Sequence, residues 1–348
     1  MLATEINAVS APASLAPLLQ TCPAWKQIVG SAEPFLKAVG LRLTEQISAF
    51  DSDIAGYAEY ALTGQGKQLR PALVALSAGA TGKVTEAHVM AAVIIEMVHL
   101  ATLVHDDVMD EATIRRGRAT LAANWGNEIS VLVGDCLFAN ALKLAASFPT
   151  PEICRAVAAA TNTVCSGEIL QTQRRKNFTL SRAEYFKVLQ MKTGELFALS
   201  CDLGAYLAGA EASQRAGLRH YGLAIGTAYQ IYDDCLDLFG SEITAGKSLG
   251  TDLAKGKLTL PMLFLLEKAD RDERARIEAL VQRWEPAYFP QLMRLLQDHQ
   301  SLDDSKHSVQ HYLSRANKAL DSLPQTESRL GLAGLIEYLA QQTDALRS

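Results

Sequence analysis

Val89-Met90-Ala91-Ala92-Val93-Ile94-Ile95-Glu96-Met97-Val98-His99-Leu100-Ala101-Thr102-Leu103-Val104-His105-Asp106-Asp107-Val108-Met109-Asp110 decides how the chain is read. Val89, Val93, Met97, Leu100 and Val104 recur at helical spacing, so the run predicts a buried helix over 84–108 with three acids on its last turns. Residues three and four apart share a helix face, which sends Asp106 and Asp110 the same way and Asp107 about 100° round the turn. Carboxylates crowded at the end of a core helix repel one another unless a cation compensates. An all-oxygen donor set of this kind suits Mg²⁺ or Mn²⁺ rather than zinc. A solvated acidic helix end is the alternative for this cluster alone. Asp233-Asp234-Cys235-Leu236-Asp237 repeats the spacing at the end of a second apolar helix expected over 213–238, and two such clusters can face each other across a cavity.

The bulk numbers narrow the class. A chain of 348 residues with 49% hydrophobic composition can bury a large core, and no linker or low-complexity tract divides it between residues 30 and 345. We expect residues 1–13 to be frayed and 14–348 to form one domain. A net charge of −5 argues against a nucleic-acid scaffold. Basic residues nevertheless cluster at Arg115, Arg116 and Arg118, at Arg174, Arg175 and Lys176, and at Lys247, Lys255 and Lys257. Basic groups beside acidic ones suggest a metal-bridged phosphate ligand. The six cysteines form no C-x-x-C pair and read as buried free thiols of a reducing compartment. No secretory signal or transmembrane segment is expected, which places the protein in the cytoplasm.

Further helices are expected over 14–28, 32–49, 52–63, 128–147 and 152–173, with four or five more beyond Pro261. Glu168 and Gln171 share one face of the 152–173 helix, where a core helix would not bury polar groups without partners. Gly64-Gln65-Gly66-Lys67-Gln68-Leu69-Arg70-Pro71 joins two helices with flexible backbone and two cations. Lys192-Thr193-Gly194 interrupts another helical stretch. Gly246, Gly250 and Gly256 alternate with Lys247, Lys255 and Lys257 in a segment suited to gripping phosphate. No segment alternates with period two, so the fold is read as all-α.

In order and spacing, five features, namely Gly66-Lys67-Gln68-Leu69-Arg70-Pro71, the two Asp-rich motifs, Arg115-Arg116-Gly117, Lys192-Thr193 and the Gly246-to-Lys257 loop, resemble the trans-isoprenyl diphosphate synthase (polyprenyl synthetase) family from about residue 30 onward. The resemblance implies a single-domain helical bundle around a deep central cavity, usually a homodimer. It implies about three Mg²⁺ ions held by Asp106, Asp110 and Asp233, with Asp107, Asp234 and Asp237 in support. Arg115, Lys192, Thr193, Gln230, Lys247 and Lys257 match the positions that hold the allylic diphosphate, farnesyl or geranylgeranyl diphosphate being the expected starters. Lys67, Arg70, His99 and Arg116 match those that hold isopentenyl diphosphate. Gln65 and Gln68 depart from the family pattern, but Lys67 and Arg70 remain.

Chain elongation is the implied reaction: the allylic C–O bond breaks, and the double bond of isopentenyl diphosphate attacks the cation. Asp106, Asp107, Asp110, Arg115, Lys192, Asp233 and Lys247 are the residues expected to carry it. Small Ala101 and Thr102 stand where short-chain members place an aromatic, with apolar Val98, Met97, Ile94 and Ile95 below, and Phe138 as another candidate floor. An open tunnel along this helix predicts a long-chain product of the octaprenyl to decaprenyl class. The alternatives are a short-chain synthase, a class I terpene cyclase, a phosphohydrolase using His105-Asp106, and a non-catalytic subunit of a heteromeric synthase.

Overall fold

The structure is a computed structural model that describes residues 28–63, 66, 68–241 and 249–347. The frayed segment 1–13, nearly all of the helix expected over 14–28, and Lys67 and Lys247 lie outside the described residues. A 3₁₀ turn at 30–32 leads into α1 (Glu33–Ser48) and α2 (Ser52–Leu62), the latter capped by the Asp51 carboxylate on the Asp53 amide. Then come α3 (Leu69–Thr81), α4 (Glu86–Met109), α5 (Leu121–Ala146) and α6 (Glu152–Gln173). A continuous helical path follows through α7 (Arg182–Leu189), a π-helical turn at 190–194 and α8 (Glu195–Leu207). The chain continues with α9 (Ala212–Phe239), short α10 (Thr251–Ala254), α11 (Leu260–Lys268), α12 (Arg271–Gln282), α13 (Phe289–Asp298), α14 (Ser301–Ala319) and α15 (Glu327–Ala345). The all-α reading holds, and the helices expected over 52–63, 152–173 and 213–238 correspond to α2, α6 and α9.

Three local features differ from expectation. Two-residue strands β1 (Ile114–Arg115) and β2 (Arg118–Ala119) form a hairpin, turned by Arg116 (φ 51°) and Gly117 (φ 74°). Two successive left-handed residues make the kind of turn whose twist matches paired strands. Helix α5 starts at Leu121 rather than 128 because the Thr120 hydroxyl caps the Ala123 amide, and it kinks at Gly126 (φ 86°). Contrary to the expectation that no run approaches a membrane span, α4 and α5 are both long and apolar enough to cross a membrane by length and composition. Within α4 72% of the apolar window is buried in the protein; within α5 only 33% is.

The core has two lobes. One packs α4 against α1, α5, α6 and the inner face of α8; the other gathers α3, α8, α9, α11, α14 and α15. Helix α8 bridges them, and glycines let α9 lie close to it. A Cβ at Gly222 would stand 2.5 Å from the Phe197 carbonyl oxygen. One at Gly226 would stand 2.9 Å from the Phe197 side chain and 3.0 Å from the Gly194 Cα. Close packing at α8 and α9 thus holds the π-turn against the helix that carries the second aspartate motif.

Candidate active site

Helix α4 ends at Met109, and Asp110 is its C-cap, with its amide donating to the Asp106 carbonyl at 2.8 Å. Asp106 meets Lys192 Nζ at 3.5 Å. The same ammonium is paired with Glu168 and donates to Gln171 Oε1 at 2.9 Å. The polar face of α6 therefore finds its partner in the π-turn. A π-turn inserts one residue per turn and re-aims its side chains; here it presents Lys192 to α4 and Thr193 to α9. Burial and the Glu168 charge raise the Asp106 pKa against the pull of Lys192. Burial works against the Lys192 ammonium, but Asp106 and Glu168 hold its pKa above the ordinary value.

Asp110 collects three cations: Arg175 Nη2 at 2.9 Å, Lys257 Nζ at 2.9 Å and Lys255 Nζ at 3.1 Å. Burial alone would raise its pKa, and the two lysines reverse this, bringing it down to about 2. Asp107 turns aside, as the helical spacing requires, and accepts from Arg115 Nε at 2.7 Å. It lines a cavity of about 70 Å³ with Tyr60, Leu103, Val104, Arg115 and Arg116, between α2, α4 and the hairpin. His105 points to α5, where Nε2 lies 3.0 Å from the Val131 carbonyl oxygen and the ring packs on Phe138 at 5.7 Å. That orientation removes the basis for a His105-Asp106 phosphohydrolase.

The ends of α4 and α9 meet at one mouth, bridged by the π-turn and by Lys257, and the second motif is built into it. Asp234 accepts from the Tyr185 hydroxyl at 2.5 Å and from Gln230 Nε2 at 2.9 Å, while Gln230 Oε1 accepts from Thr193 at 2.8 Å. Burial, reinforced by Asp252, pushes Asp234 up to about 8. Asp237 accepts from the Thr251 hydroxyl at 2.7 Å and the Asp252 amide at 3.1 Å. It thereby anchors the turn whose Lys257 reaches Asp110. Asp233 is half-buried beside Tyr229, whose hydroxyl is pushed up to about 12 by burial and by the Asp233 charge.

A second basic group lies behind the first motif. Arg70 stacks over Phe197 at 4.9 Å, and Arg116 packs so near Gly66 that a Cβ there would stand 2.8 Å from its Nη2. Buried Glu96 sits in the field of both guanidiniums. Burial and the charges of Arg70, Arg116 and Arg115 drive the His99 pKa well below its ordinary value, so this imidazole is neutral.

Of the residues proposed to set chain length, Ala101, Met97, Ile94 and Ile95 are 0% exposed and Val98 is 1% exposed. Thr102 and His99 are half-buried, with the Thr102 hydroxyl donating to the His99 carbonyl at 2.7 Å. The free side of α4 below Asp106 therefore begins at Thr102, one turn away on the same stripe, while Ala101 is closed in by the core.

Sequence reasoning overlooked several participants. Tyr185 and Phe197 carry no sequence signal, and Glu96 shows only as a single acid within an apolar run. Arg175 and Lys255 stood out as charges, but nothing in the sequence pointed them at Asp110.

A polyprenyl synthetase family model matches residues 52–295. The octaprenyl diphosphate synthase of Haemophilus influenzae is 33% identical over 305 residues, covering 87% of this chain and 93% of that one. Among solved structures, a decaprenyl diphosphate synthase from Rhodobacter capsulatus superposes with a TM-score of 0.87 at 31% identity, covering 93% of this chain and all of that one. A polyprenyl synthase from Caulobacter crescentus, complexed with calcium and isoprenyl diphosphate, gives 0.86 at 32% identity, covering 91% and 97% of the two chains.

Proposed function

The chain belongs to the polyprenyl synthetase family and is a trans-prenyltransferase of its long-chain branch; from that premise we propose that it condenses isopentenyl diphosphate repeatedly onto an allylic diphosphate, farnesyl or geranylgeranyl diphosphate serving as starter. One observation carries the assignment of the site. Lys257, held beside the second motif through Asp237, Thr251 and Asp252, lies 2.9 Å from Asp110 of the first motif, 147 positions away in the chain. Two acidic helix ends and their basic partners thus open on one mouth, as binding a diphosphate requires.

The donor set fits Mg²⁺. It offers carboxylate oxygens without histidine or cysteine, with Asp106 and Asp110 on one stripe at the end of α4. Asp106, Asp110 and Asp233 would hold the ions, about three in number, with Asp107, Asp234 and Asp237 in support. Bound there, Mg²⁺ supplies charge stabilisation to the departing diphosphate. Among the protein's own groups, Lys192, Lys257 and Arg115 stand ready to bind the same oxygens, and being fixed in place they favour the transition state over the ground state. Lys247 is assigned with them. Thr193 and Gln230 orient the π-turn against α9. Arg70, Arg116 and neutral His99, with Lys67, would hold isopentenyl diphosphate with its double bond facing the allylic carbon. The proton lost afterwards goes to the released diphosphate.

We further propose a homodimer. Leu132 (59% exposed), Val131 and Leu142 on α5, with Ile169 (59%) on the neighbouring α6, are exposed apolar side chains that a second copy would cover. Free thiols support a reducing, cytoplasmic setting, although among the described cysteines only Cys201 and Cys235 are buried as expected, Cys136 and Cys154 being half-buried and Cys165 exposed.

The deciding experiment incubates purified protein with Mg²⁺, isopentenyl diphosphate and farnesyl diphosphate, then dephosphorylates the products and sizes them by chromatography. Linear all-trans alcohols longer than geranylgeraniol are expected. Cyclic hydrocarbons, or no turnover, would overturn the reading. Sedimentation of wild type and Leu132→Glu tests the dimer, the variant being expected to dissociate.

A further inference from the structure

Arg174-Arg175-Lys176, at the end of α6, is a basic run to which the reading above gives no role. Its two flanks are occupied in fixing the turn. Arg174 pairs with Glu184 at 3.3 Å. Lys176, in the left-handed region (φ 56°), donates its amide to the Gly256 carbonyl at 2.7 Å and its ammonium to the Gln282 carbonyl at 3.3 Å. Its stem lies so close over Gly256 that a Cβ there would stand 2.7 Å from Lys176 Cγ. Held from both sides, the turn aims Arg175 into the mouth, where Nη2 reaches Asp110. Its Nε is buried and finds no hydrogen-bond partner among the described residues.

Three cations crowd one carboxylate. Arg175, Lys255 and Lys257 all contact Asp110 within 3.1 Å, with Asp106 and Asp107 in the wider field of the two lysines. A diphosphate offers such a cluster more oxygens than one carboxylate can, and a guanidinium with a spare donor binds phosphate oxygens through a two-pronged contact. We propose that Arg175 is an additional ligand of the allylic diphosphate, exchanging the Asp110 carboxylate for phosphate oxygen when substrate enters. The proposal rests on the prenyltransferase reading. It makes the end of α6 part of the diphosphate cage and frees Asp110 Oδ1 at the moment of binding, Lys255 and Lys257 remaining on Oδ2. The competing role is a clamp that merely ties α6 to the end of α4.

The test compares wild type with Arg175→Gln and Arg175→Lys. Inorganic pyrophosphate binding in Mg²⁺ is measured by calorimetry, and KM for farnesyl and for isopentenyl diphosphate is measured with each varied separately. Arg175→Gln should weaken pyrophosphate binding and raise the farnesyl diphosphate KM by about tenfold each, the scale of one charge-assisted contact. The isopentenyl diphosphate KM should stay put, and Arg175→Lys should recover part of the loss. A variant that melts earlier while keeping wild-type pyrophosphate affinity and allylic KM would identify a clamp and overturn the proposal, as would equal rises in both KM values. Failure of the prenyltransferase reading shows separately, as absence of wild-type turnover.

Discussion

Lys192→Met isolates the pairing on which the first aspartate motif depends. The methionine keeps most of the side chain's length and removes the ammonium between Asp106, Glu168 and Gln171. Breaking a fully buried ion pair by removing one partner costs about 3–5 kcal/mol. Here the side chains are 21%, 19% and 13% exposed for Lys192, Asp106 and Glu168, so water screens part of the repulsion and the loss should be about 2–3 kcal/mol. At roughly 1–2 °C per kcal/mol for a chain of this size, Tm measured in chelator should fall by about 3–5 °C. Adding Glu168→Gln removes the unpaired neighbour of Asp106, so the double variant should regain most of that loss. Mg²⁺ should also raise the Tm of Lys192→Met, because it brings positive charge to the same carboxylates. Turnover should stay low throughout, by about a factor of 10² to 10³, since the ammonium is missing where charge develops on the leaving group. Calorimetric scans at one fixed rate, with and without Mg²⁺, provide the measurement. An unchanged Tm in Lys192→Met, or a double variant no more stable than the single, would refute the reasoning.

Asp110→Asn should destabilise the protein by about 2 kcal/mol at pH 7, the linkage value of a carboxyl brought from 3.8 down to about 2. A depressed folded-state pKa contributes stability above the unfolded value and loses it as pH falls toward 2, so the gap from wild type in urea titrations should shrink to about half by pH 3; a gap that widens on acidification contradicts the assignment. Gly226→Ala drives a methyl into Phe197 and Gly194, with an expected cost of about 1–3 kcal/mol from overpacking. Because Gly194 closes the turn that carries Lys192 and Thr193, the allylic KM should rise along with the loss in Tm, and a normal KM would uncouple that packing from the site. Thr102→Tyr should shorten the product toward farnesyl or geranylgeranyl diphosphate, read by chromatography after dephosphorylation, while Ala101→Tyr, placed in the closed core, should cost more stability through overpacking; an unchanged product from Thr102→Tyr would move the floor of the tunnel elsewhere.

How much of this molecule can be read from its sequence depends on whether a feature is local. Asp106 and Asp110 share a stripe because helical geometry puts them there, and the apolar run before them leaves little alternative to a core helix. The Ile114-to-Ala119 hairpin is the opposite case. Its strands are two residues long, too short for any alternation to register, and Arg116 enters the left-handed region where a turn usually places asparagine or glycine. The π-turn at Lys192-Thr193-Gly194 looks like a helix break in sequence. What keeps the helix continuous is tertiary, namely Gly194 and Gly226 admitting α9 to close contact.

The same division explains the site. Charge types were visible, but their pairing was not, because the partners come from α6, the π-turn and the turn after α9. Asp237 belongs to a motif that suggests a metal ligand, yet both of its oxygens are spent on Thr251 and Asp252, so its contribution to the mouth passes through Lys257. Asp110 shows the reverse. Its three cations cannot be deduced from the spacing of the motif, yet they argue most directly for an anion with several oxygens, because all three crowd onto one carboxylate in a half-buried pocket. Chain length divides in the same way. A rise of about 1.5 Å per residue places Ala101 and Thr102 at nearly the same depth below Asp106. Only the packing of α4 tells which of the two borders open space, and it selects Thr102.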